Sequence, residues 1–182
     1  MVPWYLRPPR RLWLDIDGVL ADFEKHFLDK LKLQKGPSND WNDPRFRTNF
    51  DKIANDEEFW ATVPLLNGPD TFTYPIAGYC TARPINDEVT QQWLDQRGFP
   101  RAPLINVGQY GNKGKILHQK GCDVFIDDSF SNFTEVSMWG IECYLYTRPH
   151  NKKYKEVVDR RINHINQLMA ILKDGEPEPE DA

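Results

Sequence analysis

The chain has 182 residues, 40% of them hydrophobic and 27% charged, with a formal net charge of -4. That length suits one well-buried core with a small appended unit rather than two full domains. The mildly acidic balance excludes a general attraction to nucleic acid or anionic membrane, so any phosphate site has to be local.

Residues 1–11 contain three prolines and three arginines and predict an extended lead-in. The apolar run that follows is broken at Asp15, too early for a signal peptide or membrane span, and the chain reads as soluble and cytoplasmic. Leu12-Trp-Leu-Asp-Ile-Asp-Gly-Val-Leu-Ala-Asp-Phe23 starts as a buried parallel strand, which need not alternate apolar with polar. Asp15 and Asp17 are two residues apart, so on a strand both point to one face. Buried neighbouring carboxylates call for a cation or a shared proton. Gly18 permits a tight turn at the strand's end. Taken alone, Asp-x-Asp-Gly is equally an exposed turn after a short strand.

Phe23, Phe27, Leu28 and Leu31 recur at helical spacing and predict an amphipathic helix over 22–33. Residues 37–74 have no strand pattern and many aromatics, including Trp41, Phe46, Phe50, Phe59, Trp60, Phe72 and Tyr74. They predict a small helical insert, with one helix over 51–60 and the aromatics forming a local core. A second strand over 75–80 stops at Thr81-Ala82-Arg83-Pro84. A hydroxyl and a guanidinium there sit where open α/β sheets hold ligands. A helix over 87–96, a strand over 104–107 and a short helix over 113–120 follow. Cys122-Asp-Val-Phe-Ile-Asp-Asp-Ser129 repeats the opening theme, an apolar strand ending in paired carboxylates, Asp127 and Asp128. A helix over 132–138, a strand over 142–146, a long amphipathic helix over 154–172 and an acidic, proline-rich tail at 175–182 complete the chain. Cys80, Cys122 and Cys143 form no Cys-x-x-Cys pair and read as buried free thiols.

Alternating strands and helices argue for a parallel sheet with all acidic strand ends on one edge. Two acidic strand ends, a Thr-ended strand and a lysine at a helix start then converge. Asp15-Ile-Asp-Gly-Val-Leu-Ala-Asp, Thr81, Lys113 and Asp127-Asp128 resemble the four ordered motifs of the haloacid dehalogenase (HAD) superfamily of phosphohydrolases. Together with Glu58-Phe-Trp, Cys80-Thr-Ala-Arg-Pro, Phe125-Ile-Asp-Asp and Tyr146-Thr-Arg-Pro-His-Asn, they resemble the 5'(3')-deoxyribonucleotidases over residues 12–152.

The resemblance implies a Rossmann-like α/β fold, a three-layer parallel sheet core from 1–22 and 75–174 with a small helical cap at 23–74. It implies an Mg2+-dependent phosphatase acting on (deoxy)nucleoside monophosphates. Asp15 would be the nucleophile and Asp17 the acid/base, with Mg2+ on Asp15, the Asp17 carbonyl and Asp127. Thr81, the Ala82 amide and Lys113 would hold phosphate, Lys115 and Lys120 being rivals for the lysine. Phe23, Phe59 and Trp60 would enclose base and sugar. Asp128 would orient metal waters or Lys113, and Asn151 also fits the family pattern. Arg83 departs from the serine-proline pair of mammalian relatives; phosphate contact and pairing with Asp128 are both open to it. His150 reads as a surface or packing histidine, phosphate contact remaining open.

The expected partner is a small nucleotide, without membrane and without nucleic acid, and a homodimer is left open. The insert differs from that of the relatives, so base and sugar preference do not carry over. Rival readings are a HAD phosphatase for a nucleic-acid 3'-phosphate or small phosphometabolite, and a non-catalytic nucleotide-binding protein.

Overall fold

The computed structural model describes residues 9–36, 43–108 and 111–173. Most of the lead-in, Trp41 and the acidic tail at 175–182 lie outside the described residues. Six strands form one wholly parallel sheet: β1 (Leu12–Leu14), β2 (Ile76–Thr81), β3 (Leu104–Asn106), β4 (Val124–Asp127), β5 (Glu142–Tyr146) and β6 (Arg161–Ile162). Their spatial order is β3-β2-β1-β4-β5-β6. The chain builds outward from β1 to β3, then returns to lay β4 on the other side of β1. In open α/β sheets that reversal leaves a crevice at the carboxyl ends of the strands, and ligands bind there. Both acidic strand ends therefore flank the same crevice. No helix among the described residues is long and apolar enough to cross a membrane.

Side chains alternate across the sheet and bury both faces, which is why no strand shows a polar face. Leu12, Leu14, Val124 and Ile126 pack in one cluster with residues of α1 (Phe23–Lys30), α4 (Asp87–Gln96) and α7 (Ile165–Lys173). Trp13, Phe125, Cys143 and Leu145 pack on the other side with α5 (Lys113–Gln119) and α6 (Phe130–Met138). Trp13 lies across β2 so closely that a Cβ on Gly78 would come within 2.4 Å of its ring. The three cysteines are free and buried, as their spacing predicts.

The insert contains α2 (Pro44–Arg47), a 3-10 turn at Phe50–Lys52 and α3 (Glu57–Thr62). Its Phe46, Ile53, Phe59, Trp60 and Val63 belong to the same buried cluster as β1 and β4, rather than to a separate local core. The single helix expected over 51–60 is two pieces. Asp56 breaks it, because its side chain accepts the Phe59 N–H at 2.9 Å and caps a new helix. Trp60 Nε1 donates to the Ile53 carbonyl at 2.9 Å and ties the pieces together.

A second correction concerns the C-terminal helix expected over 154–172. Its first third is a kinked 3-10 segment (Lys155–Arg160), followed by β6, and only Ile165–Lys173 is α-helical. Arg161 explains the break: its guanidinium donates to Asn151 Oδ1 at 2.9 Å, and to the carbonyls of Asn151 and Tyr154. That anchor draws the chain onto the open edge of β5, and the sheet gains a sixth strand. The helix expected over 132–138 starts at Phe130, because Ser129 rather than a later residue caps it.

Candidate active site

Asp15 follows β1 directly, and its N–H donates to the Ile126 carbonyl at 3.0 Å, locking it against the end of β4. Its side chain is almost fully buried. Asp15 Oδ1 accepts the Ile16 N–H and lies 2.8 Å from Lys113 Nζ. Lys113 opens α5, behind an Asn112 cap, and reaches under the sheet edge to Asp127 Oδ2, also at 2.8 Å. One ammonium therefore serves two carboxylates. Burial works against that ammonium, but Asp127 and Asp15 outweigh it and hold its proton above the ordinary lysine range. Burial, with the charge of Asp127 added, pushes Asp15 well above the usual carboxylate range against the pull of Lys113. Lys115 and Lys120 are exposed, so Lys113 is the lysine of the site.

Asp127 is satisfied on every side: Oδ1 accepts the Ser129 N–H at 2.7 Å, and Oδ2 accepts Asn132 Nδ2 at 3.1 Å beside Lys113. Asp128 is not. It does not reach Lys113, contrary to one expected role, and its buried Oδ2 has no hydrogen-bond donor. His150 Nε2 passes 3.1 Å from that oxygen, but its hydrogen bond goes to the Asp128 carbonyl at 3.0 Å. Asn151 Nδ2 donates to the same carbonyl at 2.8 Å and to the Tyr146 carbonyl at 2.7 Å, fixing the loop after β5 against the site. His150 is thus buried, between Asp128 and Glu24, and not a surface residue. Burial lowers its affinity for a proton, yet Asp128 and Glu24 prevail and push it up to about 9. Gly18, at φ +85, passes so close that a Cβ there would sit 1.9 Å from Asp128 Oδ2. Only glycine fits that turn.

Carboxylate oxygens of Asp15, Asp127 and Asp128 all lie within 4.8 Å of one another. An all-oxygen donor set with an orphaned carboxylate oxygen fits a hard divalent cation such as Mg2+. The family resemblance implied Asp15, the Asp17 carbonyl and Asp127; Asp128 is the carboxylate that the geometry adds.

Asp17, on the far side of the Gly18 turn, is held by Arg83. Nε donates to Asp17 Oδ2 and Nη2 to Oδ1, both at 2.8 Å, a two-pronged pair that resists rotation. Arg83 accordingly pairs with Asp17 and not with Asp128, which corrects that expected pairing. Thr81, at the end of β2, is buried, and its Oγ1 accepts the Arg83 N–H at 3.3 Å.

These groups share a cavity of about 520 Å³ lined by Asp15, Asp17, Thr81, Ala82, Arg83, Lys113 and Asp128 on one side. Phe23, Phe50 and Trp60 line the other, with Phe23 stacked on Trp60 at 5.5 Å between ring centroids. Phe59 does not line it; its ring packs behind Phe23, against His26 and Phe27. Phe50, Ser129 and Asn132 line the cavity without having been singled out in the sequence. Asn132, in the first turn of α6 after the Ser129 cap, reaches back to the end of β4 at Asp127.

No family model matches the chain, and no curated protein matches it in sequence. Solved structures do match in fold. An L-2-haloacid dehalogenase superposes with a TM-score of 0.59 at 12% identity, over 91% of this chain and 100% of that one. A Bacillus subtilis protein described as a HAD-hydrolase, bound to magnesium, gives 0.59 at 13% identity, over 92% and 100%. A haloacid dehalogenase-like hydrolase from Streptococcus pneumoniae gives 0.57 at 11% identity, over 89% and 97%. The fold is that of the HAD-superfamily hydrolases.

Proposed function

We propose that this protein is an Mg2+-dependent phosphohydrolase that removes phosphate from (deoxy)nucleoside monophosphates through an aspartyl-phosphate on Asp15. The observation that carries the reading is one cavity with two chemistries. Buried carboxylates with a shared lysine face an aromatic wall of Phe23, Phe50 and Trp60. A phosphate dianion suits the first and a base with its sugar the second.

The bonds to Asp15 fall on Oδ1, which leaves Oδ2 to attack phosphorus. As the P–O bond to the nucleoside breaks, Asp17 gives its proton to the leaving oxygen. Asp17 then takes a proton from the water that attacks the aspartyl-phosphate, and Asp15 is regenerated with release of inorganic phosphate. Lys113 neutralises charge on nucleophile and phosphate, while Thr81 and the Ala82 amide hold phosphate oxygens. Mg2+ would be held by Asp15, Asp127 and Asp128 and would supply positive charge to the phosphate oxygens. An aspartate nucleophile would also serve carbon–halogen hydrolysis, the chemistry named for several structural neighbours. The carboxylate trio favours the phosphoryl reading, because displacing a halide gives a divalent cation nothing to do.

The test is release of phosphate from a panel of ribo- and deoxyribonucleoside 5' and 3' monophosphates, with Mg2+ and with chelator. Mg2+-dependent release that Asp15→Asn removes is expected. Turnover confined to phosphometabolites or 3'-phosphorylated oligonucleotides would keep the chemistry and move the substrate. No turnover of any phosphate ester would retire the proposal.

A further inference from the structure

The proposed mechanism gives Asp17 a proton to deliver, yet both of its oxygens are engaged by one side chain. Arg83 leaves the end of β2 with its backbone pinned on two sides. Its N–H donates to Thr81 Oγ1, and its carbonyl accepts Asn106 Nδ2 from the end of β3 at 2.9 Å. The guanidinium turns inward and has no solvent exposure. Its Cζ lies 5.2 Å from the ring centroid of Trp60 in α3 and 5.2 Å from that of Trp93 in α4. Trp93 is itself fixed, Nε1 donating to the Val63 carbonyl at 2.8 Å. A planar cation between two indoles, with Nε and Nη2 on one carboxylate, can neither swing nor slide far. Nη1 is buried and has no hydrogen-bond partner, so it does no structural work in the pair.

We propose that Arg83 is a positioning residue for Asp17, clamped by Trp60 and Trp93 so that the acid/base carboxyl keeps one plane and one direction toward the leaving oxygen. The inference rests on the phosphohydrolase reading given above. Arg83 has five N–H donors and no acceptor, so a protonated Asp17 keeps at least one bond to the fork through its remaining acceptor oxygen. The arginine therefore holds the carboxyl before and after the proton leaves. Trp60 also lines the cavity, so the wall that contacts substrate is the wall that braces the clamp.

Positioning an acid matters only when the leaving group needs a proton, and that separates this role from phosphate binding or plain folding. The experiment compares a nucleoside monophosphate, whose alkoxide leaves poorly, with p-nitrophenyl phosphate, whose phenolate leaves unaided. Arg83→Lys keeps the charge but loses the fork and most of the stacking. On the nucleotide, kcat is expected to fall about 30-fold, less than the roughly 10²–10⁴-fold that a general acid contributes outright, with KM changed less than about threefold. On p-nitrophenyl phosphate the loss is expected to be at least ten times smaller. Added to Asp17→Asn, Arg83→Lys should cost little more, since the two act as one unit. Trp93→Phe, outside the cavity, should show the same leaving-group selectivity with smaller amplitude, and it reads the clamp even where Arg83→Lys folds poorly.

Equal losses on both substrates, or full additivity with Asp17→Asn, would overturn the inference and leave the phosphohydrolase reading standing. Inhibition by inorganic phosphate weakened more than tenfold in Arg83→Lys would make Arg83 a phosphate ligand, and would also overturn it. A wild-type protein that turns over neither substrate with Mg2+ would remove the function, and the inference with it.

Discussion

Across one cavity, the acidic ends of β1 and β4 face the aromatic wall of the insert, and both surfaces are buried. Phe23 and Trp60 are 4% and 2% exposed, as buried as Asp15 at 6% and Asp128 at 1%. Burying each aromatic ring stabilises the fold by roughly 1.5–3 kcal/mol. Burying each carboxylate works against it by several kcal/mol, roughly, before any partner is counted. Lys113 offsets that for two acids, and Asp128 Oδ2 has the His150 ring 3.1 Å away. The wall holds the protein together, while the floor is held in place by the rest of it. A strained floor persists because the sheet over-determines it, through the Asp15–Ile126 backbone bond, the Gly18 turn and the Asn151 anchor.

The largest expected effect falls on the floor. Asp15→Asn should lower phosphate release by on the order of 10^4-fold or more, with the thermal transition at or above that of the wild type. A variant that keeps turnover would break the assignment of floor to chemistry. Lys113→Met should destabilise by about 3–5 kcal/mol, since it strands Asp15 and Asp127 without their cation. Calorimetry with Mg2+ should recover part of that loss, because a cation that binds only the folded site stabilises it. Trp60→Ala should also lose about 3–5 kcal/mol, through a cavity, and here Mg2+ should recover nothing. A Mg2+ response shared by both variants would erase the distinction between floor and wall.

His150 gives the next effect. Its folded-state proton affinity is raised from 6.5 to about 9, so the stability it contributes is full below pH 6.5 and is lost as pH rises through 9. Urea unfolding across that window should show a decline on the order of 3 kcal/mol that His150→Gln flattens. The smallest effect belongs to Phe50, which is only half-buried. Phe50→Ala should raise KM for a nucleotide about tenfold, with kcat little changed, as expected for binding shared by ground and transition states. Loss of kcat instead would move the wall into the chemistry.

Much of the floor was legible because its residues announce themselves locally. Asp15 and Asp127 each close an apolar run, Gly18 marks the turn, and Lys113 stands at a helix start behind Asn112. The wall was legible only as a class of residue. Aromatic content marked the insert, but which rings face the cavity depends on how α1 and α3 cross. Phe59, named by the resemblance, stays off the cavity while Phe50 lines it, and the Trp60 ring stands edge-on to both.

The amino-acid sequence by itself determined the alternation of strand and helix, and with it a parallel sheet that gathers acidic strand ends on one edge. It also determined the order of Asp15, Thr81, Lys113 and the Asp127-Asp128 pair along the chain. Periodicity and short-range spacing carry those features, and both are local. Only the tertiary structure decided that Arg83 clamps Asp17 across 66 residues, that Asp128 joins Asp15 and Asp127, and that Arg161 turns an expected helix into β6. Each turns on which partner a charged group meets, whether 66 residues away for Arg83 or only ten for Arg161. Charge alone names many eligible partners, and the packing of the sheet and its insert selects one.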